Sequence, residues 1–266
     1  MSVALLFYTD DQTKGINLKL FRGKKKKALV FVDFEYMQIS FKKRYGIQPP
    51  IIDWYRSLTA VYDVSALYVF ADFSNPAMKN NLPVLRQITD NIIETQNTSS
   101  RHKKDFTDFF MLDKIYQKAY QKHKASVFVL FTGDGHFGAV SRFLINHCKK
   151  EVVIYGIDGN ISNQLRTQVT KVVPYPDRER LVELYIPYLA QAIQSLMTQN
   201  SAAHLTVSRI TDAACNDKHL EPEVTDAAIQ KMFELGYLSY SEQWVSARKR
   251  TRVLTCDFDR IHAEKI

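Results

Sequence analysis

Three aspartates of this 266-residue chain each follow an apolar run long enough for a buried strand. Asp33 ends VFVD, Asp72 ends YVFAD and Asp134 ends VFVLFTGD. Because the carboxyl ends of parallel strands meet at one edge of a sheet, we expect these carboxylates to converge there. Like charges held close together repel, so such a cluster needs a cation or a proton. Oxygen ligands without an accompanying cysteine favour Mg²⁺ or Mn²⁺, whereas the ordinary alternative for each Asp is a helix cap.

A second group of acids lies at the start of a helix that the apolar spacing predicts over residues 106–123. Asp105 and Asp108 are spaced as in a helix cap and suit the positive end of the helix dipole, and capping is the interpretation we favour for Asp105. Asp108 lies one turn in and can face the strand ends. Asp113 lies about 140° further around the helix, so it is not expected to share an ion with Asp108.

Alternating strands and helices are predicted to position these acids. Apolar runs predict strands over residues 28–33, 65–72, 91–95, 127–132, 151–155 and 172–175. Helical periodicity is found over residues 51–62, 78–89, 106–123, 137–148 and 161–169, with Pro83 arguing for a kink or break in the second of these helices. Continuous apolar strands separated by helices indicate an α/β fold, in which a parallel sheet is covered by helices on both faces as a three-layer structure.

A smaller module is predicted beyond Pro174–Tyr175–Pro176. Three helices, over residues 180–198, 207–215 and 224–235, precede two strands at 237–240 and 252–257, which is the order of a winged-helix module. We therefore divide the chain into an N-terminal extension (1–26), an α/β domain (27–176) and a winged-helix-like module (177–266). The segment between the two last strands carries basic side chains that are expected to contact nucleic acid by charge: Arg248, Lys249, Arg250 and, at the start of the last strand, Arg252.

The charge distribution favours a polyanionic partner. Residues 1–176 hold 25 Lys/Arg against 15 Asp/Glu, whereas residues 177–266 hold 11 against 13, which together give the net charge of +8. Such a basic first part is typical of nucleic-acid binding, although a solvated lysine surface explains it equally well. The run Lys24–Lys27 is open to two interpretations: it contacts phosphates, or it protects an aggregation-prone strand.

The spacing of the cysteines and the hydropathy of the chain indicate the cellular compartment in which the protein is expected. Cys148, Cys215 and Cys256 lie far apart and fit neither a disulfide framework nor a zinc site, which favours a reducing cytoplasm. The longest apolar runs are too short for a membrane helix, and the apolar start of the chain lacks a preceding basic region. We expect a cytoplasmic protein with no membrane association and no signal peptide.

Four segments, taken in their order along the chain, resemble the motifs of a known protein family. VFVDFEYM supplies Asp33 and Glu35 of an apolar strand ending in D-G-E-N, with Tyr36 in place of the Asn. FTGDGHF supplies Asp134 of a strand ending in S/T-G-D-x-D-F, with His136 in place of the second Asp. The other two segments contribute a lysine with following acids, Lys104, Asp108 and Asp113, and a late strand–loop–helix with Ser162, Leu165 and Thr170, where Thr170 replaces an acid.

Over residues 27–176 these segments resemble the NYN domain family of PIN-like metal-dependent ribonucleases. The resemblance implies an α/β sheet of PIN/NYN type and hydrolysis of RNA phosphodiester bonds with Mg²⁺ or Mn²⁺. It implies metal ligation by Asp33, Asp108 and Asp134, with Glu35 completing the shell or accepting a proton. His136 is expected to bind metal, protonate the leaving group or contact phosphate, and Asp105 and Asp113 are secondary candidates. The lysines that precede the acidic helix, Lys103 and Lys104, are expected to contact RNA.

Two other classes of function are consistent with the sequence. Gly133, Gly135 and Gly138 form G-x-G-x-x-G after a strand, with Asp158 further on, which is formally the fingerprint of a nucleotide-dependent oxidoreductase. Its late position and the carboxylate of Asp134 within it argue against that interpretation. The second alternative is a catalytically degenerate RNA- or DNA-binding protein of NYN type. The sequence is also consistent with assembly of the chain into a homo-oligomer.

Overall fold

The computed structural model describes residues 24–95, 106–199, 205–246 and 249–263. Residues 1–23 of the predicted N-terminal extension therefore lie outside the described residues. The strands found in these ranges are β1 (Lys27–Asp33), β2 (Asp63–Ala71), β3 (Ile92–Glu94), β4 (Val127–Phe131), β5 (Glu151–Gly156), β6 (Lys171–Pro174), β7 (Leu238–Ser246) and β8 (Lys249–Cys256). The helices found there are α1 (Phe34–Tyr45), α2 (Ile51–Val61), α3 (Pro76–Lys79), α4 (Leu82–Leu85), α5 (Phe106–Tyr120), α6 (Phe137–Asn146), α7 (Asn163–Arg166), α8 (Arg178–Gln199), α9 (Val207–Lys218), α10 (Pro222–Glu234) and α11 (Phe258–Ala263).

Within the described residues, six strands form one parallel sheet in the order β3-β2-β1-β4-β5-β6. The chain runs outward from β1 in one direction and outward from β4 in the other, so the topological switch point lies between these two strands. In doubly wound sheets of this kind, the crevice that holds a ligand lies beyond the carboxyl ends of the strands at that point. The register pairs Val32 with Phe131, so the residues that follow each of them lie at the crevice.

Side chains from the central strands fill two cores, one on each face of the sheet. Val30 and Val32 of β1 belong to the core that also contains Trp54 of α2. Leu29 and Phe31 of the same strand belong to the second core. Because successive side chains of a strand point to opposite faces, this division buries the side chains of residues 28–33 and explains why β1 and β4 read as continuous apolar runs. The predicted three-layer α/β class is confirmed.

Each layer of helices presents its apolar side chains to one core. The first core contains Met37 of α1, Trp54 of α2 and Tyr185 of α8, all nearly inaccessible to solvent. The second contains Met111 of α5 and Val140 of α6. The sheet is therefore covered on both faces, and its carboxyl edge remains the place where loops and helix starts can form a site.

Some predicted elements differ from those observed. The sequence patterns do not predict α1, because its buried residues are interspersed with Lys42, Lys43 and Arg44 and its apolar stripe is weak. The helix predicted over 78–89 is broken into α3 and α4, with Pro83 in the first turn of α4, where proline is tolerated. The helix predicted over 161–169 shortens to the single turn of α7.

The C-terminal module consists of helices followed by a hairpin and packs on the α/β domain. Its antiparallel strands β7 and β8 are longer than predicted, so the connection between them is short. The hydroxyl of Tyr185 donates to the carbonyl of Tyr45 at 2.9 Å and accepts from the Glu221 N–H at 3.1 Å, which joins three helical segments. The winged-helix assignment stays a prediction. None of the helices in the described ranges combines the length and hydropathy needed to cross a membrane.

A partly buried ion pair fastens α8 to α2. Asp53 of α2 accepts hydrogen bonds from the Tyr175 hydroxyl at 2.7 Å and from the Arg180 Nε–H at 2.7 Å, and a second Arg180 nitrogen contacts the same carboxylate. Burial, together with the bond to Asp53, raises the pKa of Tyr175 above its ordinary value. The Asp53 carboxylate thus accepts hydrogen bonds from two residues, Tyr175 and Arg180, of the segment that connects the two modules.

We expect Asp53→Ala to lower the free energy of unfolding by about 1–3 kcal/mol, because it leaves two partly buried donors without their acceptor. Asp63→Ala is the control, since Asp63 forms an exposed ion pair with Lys27 at 3.1 Å and its loss should cost less than about 1 kcal/mol. Urea unfolding of both variants measures the difference. Equal losses in the two variants would show that the Asp53 contacts contribute no more than a surface pair.

Candidate functional site

Asp33 lies at the end of β1, the strand beside the switch point, and is only 7% exposed. Its Oδ1 accepts a hydrogen bond from the backbone N–H of Tyr36 at 2.9 Å. The carboxylate therefore caps the start of α1, which was the alternative to metal binding for each strand-end Asp. Burial, the backbone hydrogen bond from Tyr36, which lowers the pKa, and the charges of Asp108, Glu35 and Asp134, which raise it, together bring the pKa of Asp33 to about 8. The carboxyl therefore lies within electrostatic reach of the other acids of this edge.

Asp108 and Asp134 approach each other at the same edge. One ligand atom from each, together with one from His136, lies within 4.8 Å of the others. Asp108 is on the first turns of α5, and Asp134 and His136 are on the loop between β4 and α6. The backbone N–H of His136 donates to Asp134 Oδ1 at 2.8 Å, and its imidazole Nδ1 lies 3.3 Å from the same oxygen. Two carboxylates and an imidazole at these separations are a set of ligands that could hold a divalent metal ion.

Glu35 connects three elements at this edge. Its Oε1 accepts the N–H of Asp72 at 2.7 Å, just beyond β2, and the hydroxyl of Thr107 at 2.9 Å, in the first turn of α5. The Thr107 hydroxyl also lies 2.7 Å from that of Thr95, just beyond β3. Because Thr107 precedes Asp108, these bonds hold the start of α5 against the sheet and fix where Asp108 points.

Two of the predicted acids, Asp72 and Asp113, form hydrogen bonds with residues close to them in sequence and outside the site. Asp72 Oδ1 accepts the backbone N–H of Ser74 at 2.9 Å and contacts the Ser74 hydroxyl, forming a turn after β2. Asp113 is exposed on α5 and accepts from Gln117 at 2.7 Å. Neither belongs to the group formed by Asp108, Asp134 and His136.

The remaining candidates cannot be placed beside the site. Lys103, Lys104 and Asp105 lie outside the described residues, as does Arg248. Lys249, Arg250 and Arg252 belong to the backbone of β8, and their side chains also lie outside what is described. Thr170, which replaces an acid of the family pattern, accepts the N–H of Val152 at the amino ends of β5 and β6. That edge of the sheet is opposite to the acidic site, so an acid at this position would not reach the cluster.

Tyr36 is a site component that the sequence identified only as a departure from a motif. Its hydroxyl accepts the N–H of Ile157 at 3.0 Å and donates to the carbonyl of Asn160 at 3.2 Å. Burial raises its pKa to about 12, so the hydroxyl stays protonated and able to donate. A Cβ on Gly133 would lie 2.6 Å from the Tyr36 ring and 2.1 Å from the Asn160 carbonyl. Glycine is thus required beside Asp134 for this ring to reach the loop after β5.

A polar groove of about 530 Å³ adjoins Asp134. It is bounded by the loop after β4 and the loop after β5, and the two loops are joined by the Ser162 N–H, which donates to the Gly133 carbonyl at 2.9 Å. The lining residues are Gly133, Asp134, Gly135, Gly159, Asn160, Ile161, Ser162 and Asn163. Peptide groups and short polar side chains predominate, which suits a ligand with many hydrogen-bonding oxygens. Sequence reasoning missed the asparagines, which carry no motif of their own.

Contacts within the chain account for the glycine pattern that resembled a dinucleotide fingerprint. A Cβ on Gly135 would lie 2.9 Å from Ser162 Oγ, and one on Gly138 would lie 1.8 Å from Gln168 Oε1. Asp158, the acid of that fingerprint, lies 3.6 Å from Arg166. The turn after β1, where such a fingerprint would bind pyrophosphate, contains Asp33 and Glu35 and lacks glycine. These positions therefore require glycine because neighbouring protein atoms occupy the space that a side chain would fill.

The fold is a doubly wound parallel sheet with acids beside its switch point, the edge at which such α/β domains bind their ligands. The NYN domain model matches residues 27–176, and the chain belongs to the NYN domain family, a PIN-like nuclease family. The chain resembles the crystal structure of a protein of unknown function from Vibrio parahaemolyticus, with a TM-score of 0.51, 17% identity, and coverage of 57% of this chain and 94% of that one. That likeness supports the fold alone. No curated protein matches the chain.

We expect Tyr36→Phe to lower the free energy of unfolding by about 1–2 kcal/mol, because it leaves the partly buried Ile157 N–H without an acceptor. Tyr155→Phe is the control, since no hydrogen bond to the Tyr155 hydroxyl is found among the described residues. Thermal and urea unfolding provide the measurement. A variant as stable as the control would mean that the Tyr36 hydroxyl does not hold the loop.

Asp33→Asn tests the buried acid without removing the helix cap, because Asn caps as well as Asp does. The folded wild type retains a proton, up to its pKa of about 8, that the unfolded chain loses near the ordinary value of 3.8. Stability of the metal-free wild type should therefore fall as the pH rises through this window. At pH 7 the variant should be more stable by about 4 kcal/mol, and the gain should nearly vanish by pH 4.

Urea unfolding in EDTA between pH 4 and 8 measures this difference, with Asp113→Asn as the control for loss of an exposed acid. Parallel pH profiles for the wild type and Asp33→Asn would contradict the raised pKa.

Proposed function

We propose that this chain is a Mg²⁺- or Mn²⁺-dependent ribonuclease that hydrolyses RNA phosphodiester bonds at the acidic edge of its sheet. The observation that carries the proposal is the approach of Asp108, Asp134 and His136 to within 4.8 Å beside the switch point. Membership of a PIN-like nuclease family supports it. The buried carboxyl of Asp33, whose pKa neighbouring acids raise, adds a third acid that a cation would stabilise in its charged form.

Each side chain has a role that its position permits. Asp108 and Asp134 hold the cation, and Asp33 completes the negative surroundings from the end of β1. Glu35 acts as a positioning residue through Asp72 and Thr107. A bound divalent cation supplies Lewis-acid activation of water and of the leaving oxygen.

His136 is suited to protonate the leaving oxygen. Its imidazole is largely exposed beside Asp134, and Asp134 lines the polar groove. The ring Nδ1 lies 3.3 Å from Asp134 Oδ1, which keeps the imidazole beside the place where substrate phosphate would lie.

The basic run at the start of β1 has a structural explanation. Lys26 pairs with Glu151 and Lys27 with Asp63, while the Lys25 amino group contacts the Thr59 carbonyl. The run also lies at the amino edge of the sheet, opposite to the acidic site. Support for RNA binding comes instead from the overall positive charge of the domain and from the family.

A catalytically degenerate nucleic-acid-binding protein is the second candidate function. The observation that favours it is the hydroxyl of Tyr36, which stands where the family pattern has Asn and is engaged by Ile157 and Asn160. Binding without cleavage is the result that distinguishes this candidate from the ribonuclease.

Cleavage of end-labelled single-stranded and structured RNA in Mg²⁺ or Mn²⁺ tests the proposal. Asp134→Asn should lower the rate about 100-fold or more, because it removes a charged ligand of the cation. The fold should survive, since the substitution also relieves repulsion among the acids. Asp113→Asn, an acid on α5 outside the cluster, is the matched control and should leave the rate unchanged.

Thermal unfolding gives a second measurement that does not depend on cleavage. Mn²⁺ should raise the unfolding temperature of the wild type, and Asp134→Asn should reduce this shift. A wild type that binds RNA but cleaves it with neither metal would establish the degenerate binder. Full activity in Asp134→Asn would mean that the site lies elsewhere.

A further inference from the structure

The outer face of α5 carries aromatic side chains exposed to solvent. The sequence predicted an apolar stripe on this helix, and such a stripe ordinarily faces the core. The buried residues of α5 are instead Met111 and Ile115. The exposed fractions on the outer face are 41% for Phe106, 66% for Phe109, 41% for Phe110, 37% for Tyr116 and 78% for Tyr120. Exposed aromatic clusters of this kind commonly mark a binding surface.

The aromatic cluster is contiguous with the candidate active site. Phe106 and Phe109 flank Thr107 and Asp108, whose side chains turn toward the sheet and the acidic group. The rings of Phe106 and Phe110 lie one turn apart with centroids separated by 5.9 Å. A chain that passes Asp108 thus meets two or three exposed rings within one turn of the helix, which is a rise of about 5.4 Å.

Positive charge lies on the neighbouring flank of α5. The amino groups of Lys114 and Lys118 lie 5.4 and 5.5 Å from the centroid of the Tyr68 ring. They follow the phenylalanines along the helix, on the side that faces β2. Aromatic rings beside basic groups suit an unpaired polynucleotide, because its bases stack on the rings while its phosphates approach the cations. A neutral apolar partner would gain nothing from the lysines.

We propose that Phe106, Phe109 and Phe110 form a stacking platform for unpaired bases of single-stranded nucleic acid that extends from the acidic site. The inference deepens the proposed function and rests on it, since it names the strandedness of the substrate. Duplex bases are stacked on one another and cannot reach such a platform. The platform therefore gives the site a preference for unpaired segments.

Binding of a fluorescent 12-nucleotide single-stranded RNA to the full chain in EDTA tests the platform without cleavage. Phe109→Ala should weaken binding about fivefold or more, and Phe109→Trp should preserve it, because any aromatic ring can stack. The same RNA carrying abasic residues should bind wild type and Phe109→Ala equally. Val61→Ala removes a side chain that is 55% exposed at the end of α2 and is the control for loss of apolar surface.

The outcomes separate this inference from the proposed function. Aromatic-dependent binding without any cleavage supports the platform and overturns the nuclease. Cleavage with unaltered binding by Phe109→Ala overturns the platform alone. An equal loss of affinity for the abasic RNA would also overturn it, because stacking would not be involved. A wild-type dimer in light scattering that Phe109→Ala converts to monomer would assign the face to self-association and overturn the proposal.

Discussion

A carboxyl group buried at the end of the central strand constrains the rest of the structure. Asp33 must end β1, cap α1 and lie near Asp108 and Asp134, whose charges oppose its ionisation. Only a proton or a cation can satisfy this arrangement. The strand order and the helix starts place the Tyr36 N–H and the acids Asp108 and Asp134 near that one buried group. The fold thus brings the acids together, and the repulsion among them makes the folded state depend on a bound proton or cation.

The fold and the family were predictable from short apolar runs and the acids that end them. β1 and β4 are buried on both faces, so their sequences lack alternation and indicate a parallel sheet. The helix α1 was not predictable, because its buried residues are mixed with three cations near its end. The exposed stripe of α5 was ambiguous for the opposite reason: a periodic aromatic pattern does not tell which side faces solvent.

Only part of the site was predictable, because its contacts join residues far apart in the chain. Strand ends indicated Asp33 and Asp134, and helix position indicated Asp108. The links made by Glu35 and Tyr36 depend on partners 37 to 124 residues away, and no local pattern encodes them. Gly133 appeared to belong to a dinucleotide motif, whereas its close contact with Tyr36 becomes visible only once β1 and β4 lie side by side.

The hydrophobic core that joins the two modules has a consequence for cooperativity. One continuous cluster contains Phe41 and Trp54 of the α/β domain together with Tyr185, Ile229 and Leu254 of the C-terminal module. Neither module can open without exposing apolar surface of the other, so local melting of the helices would propagate to the layer that supports α1. Mutations that weaken the C-terminal module would then alter the acidic edge at a distance, through shared unfolding.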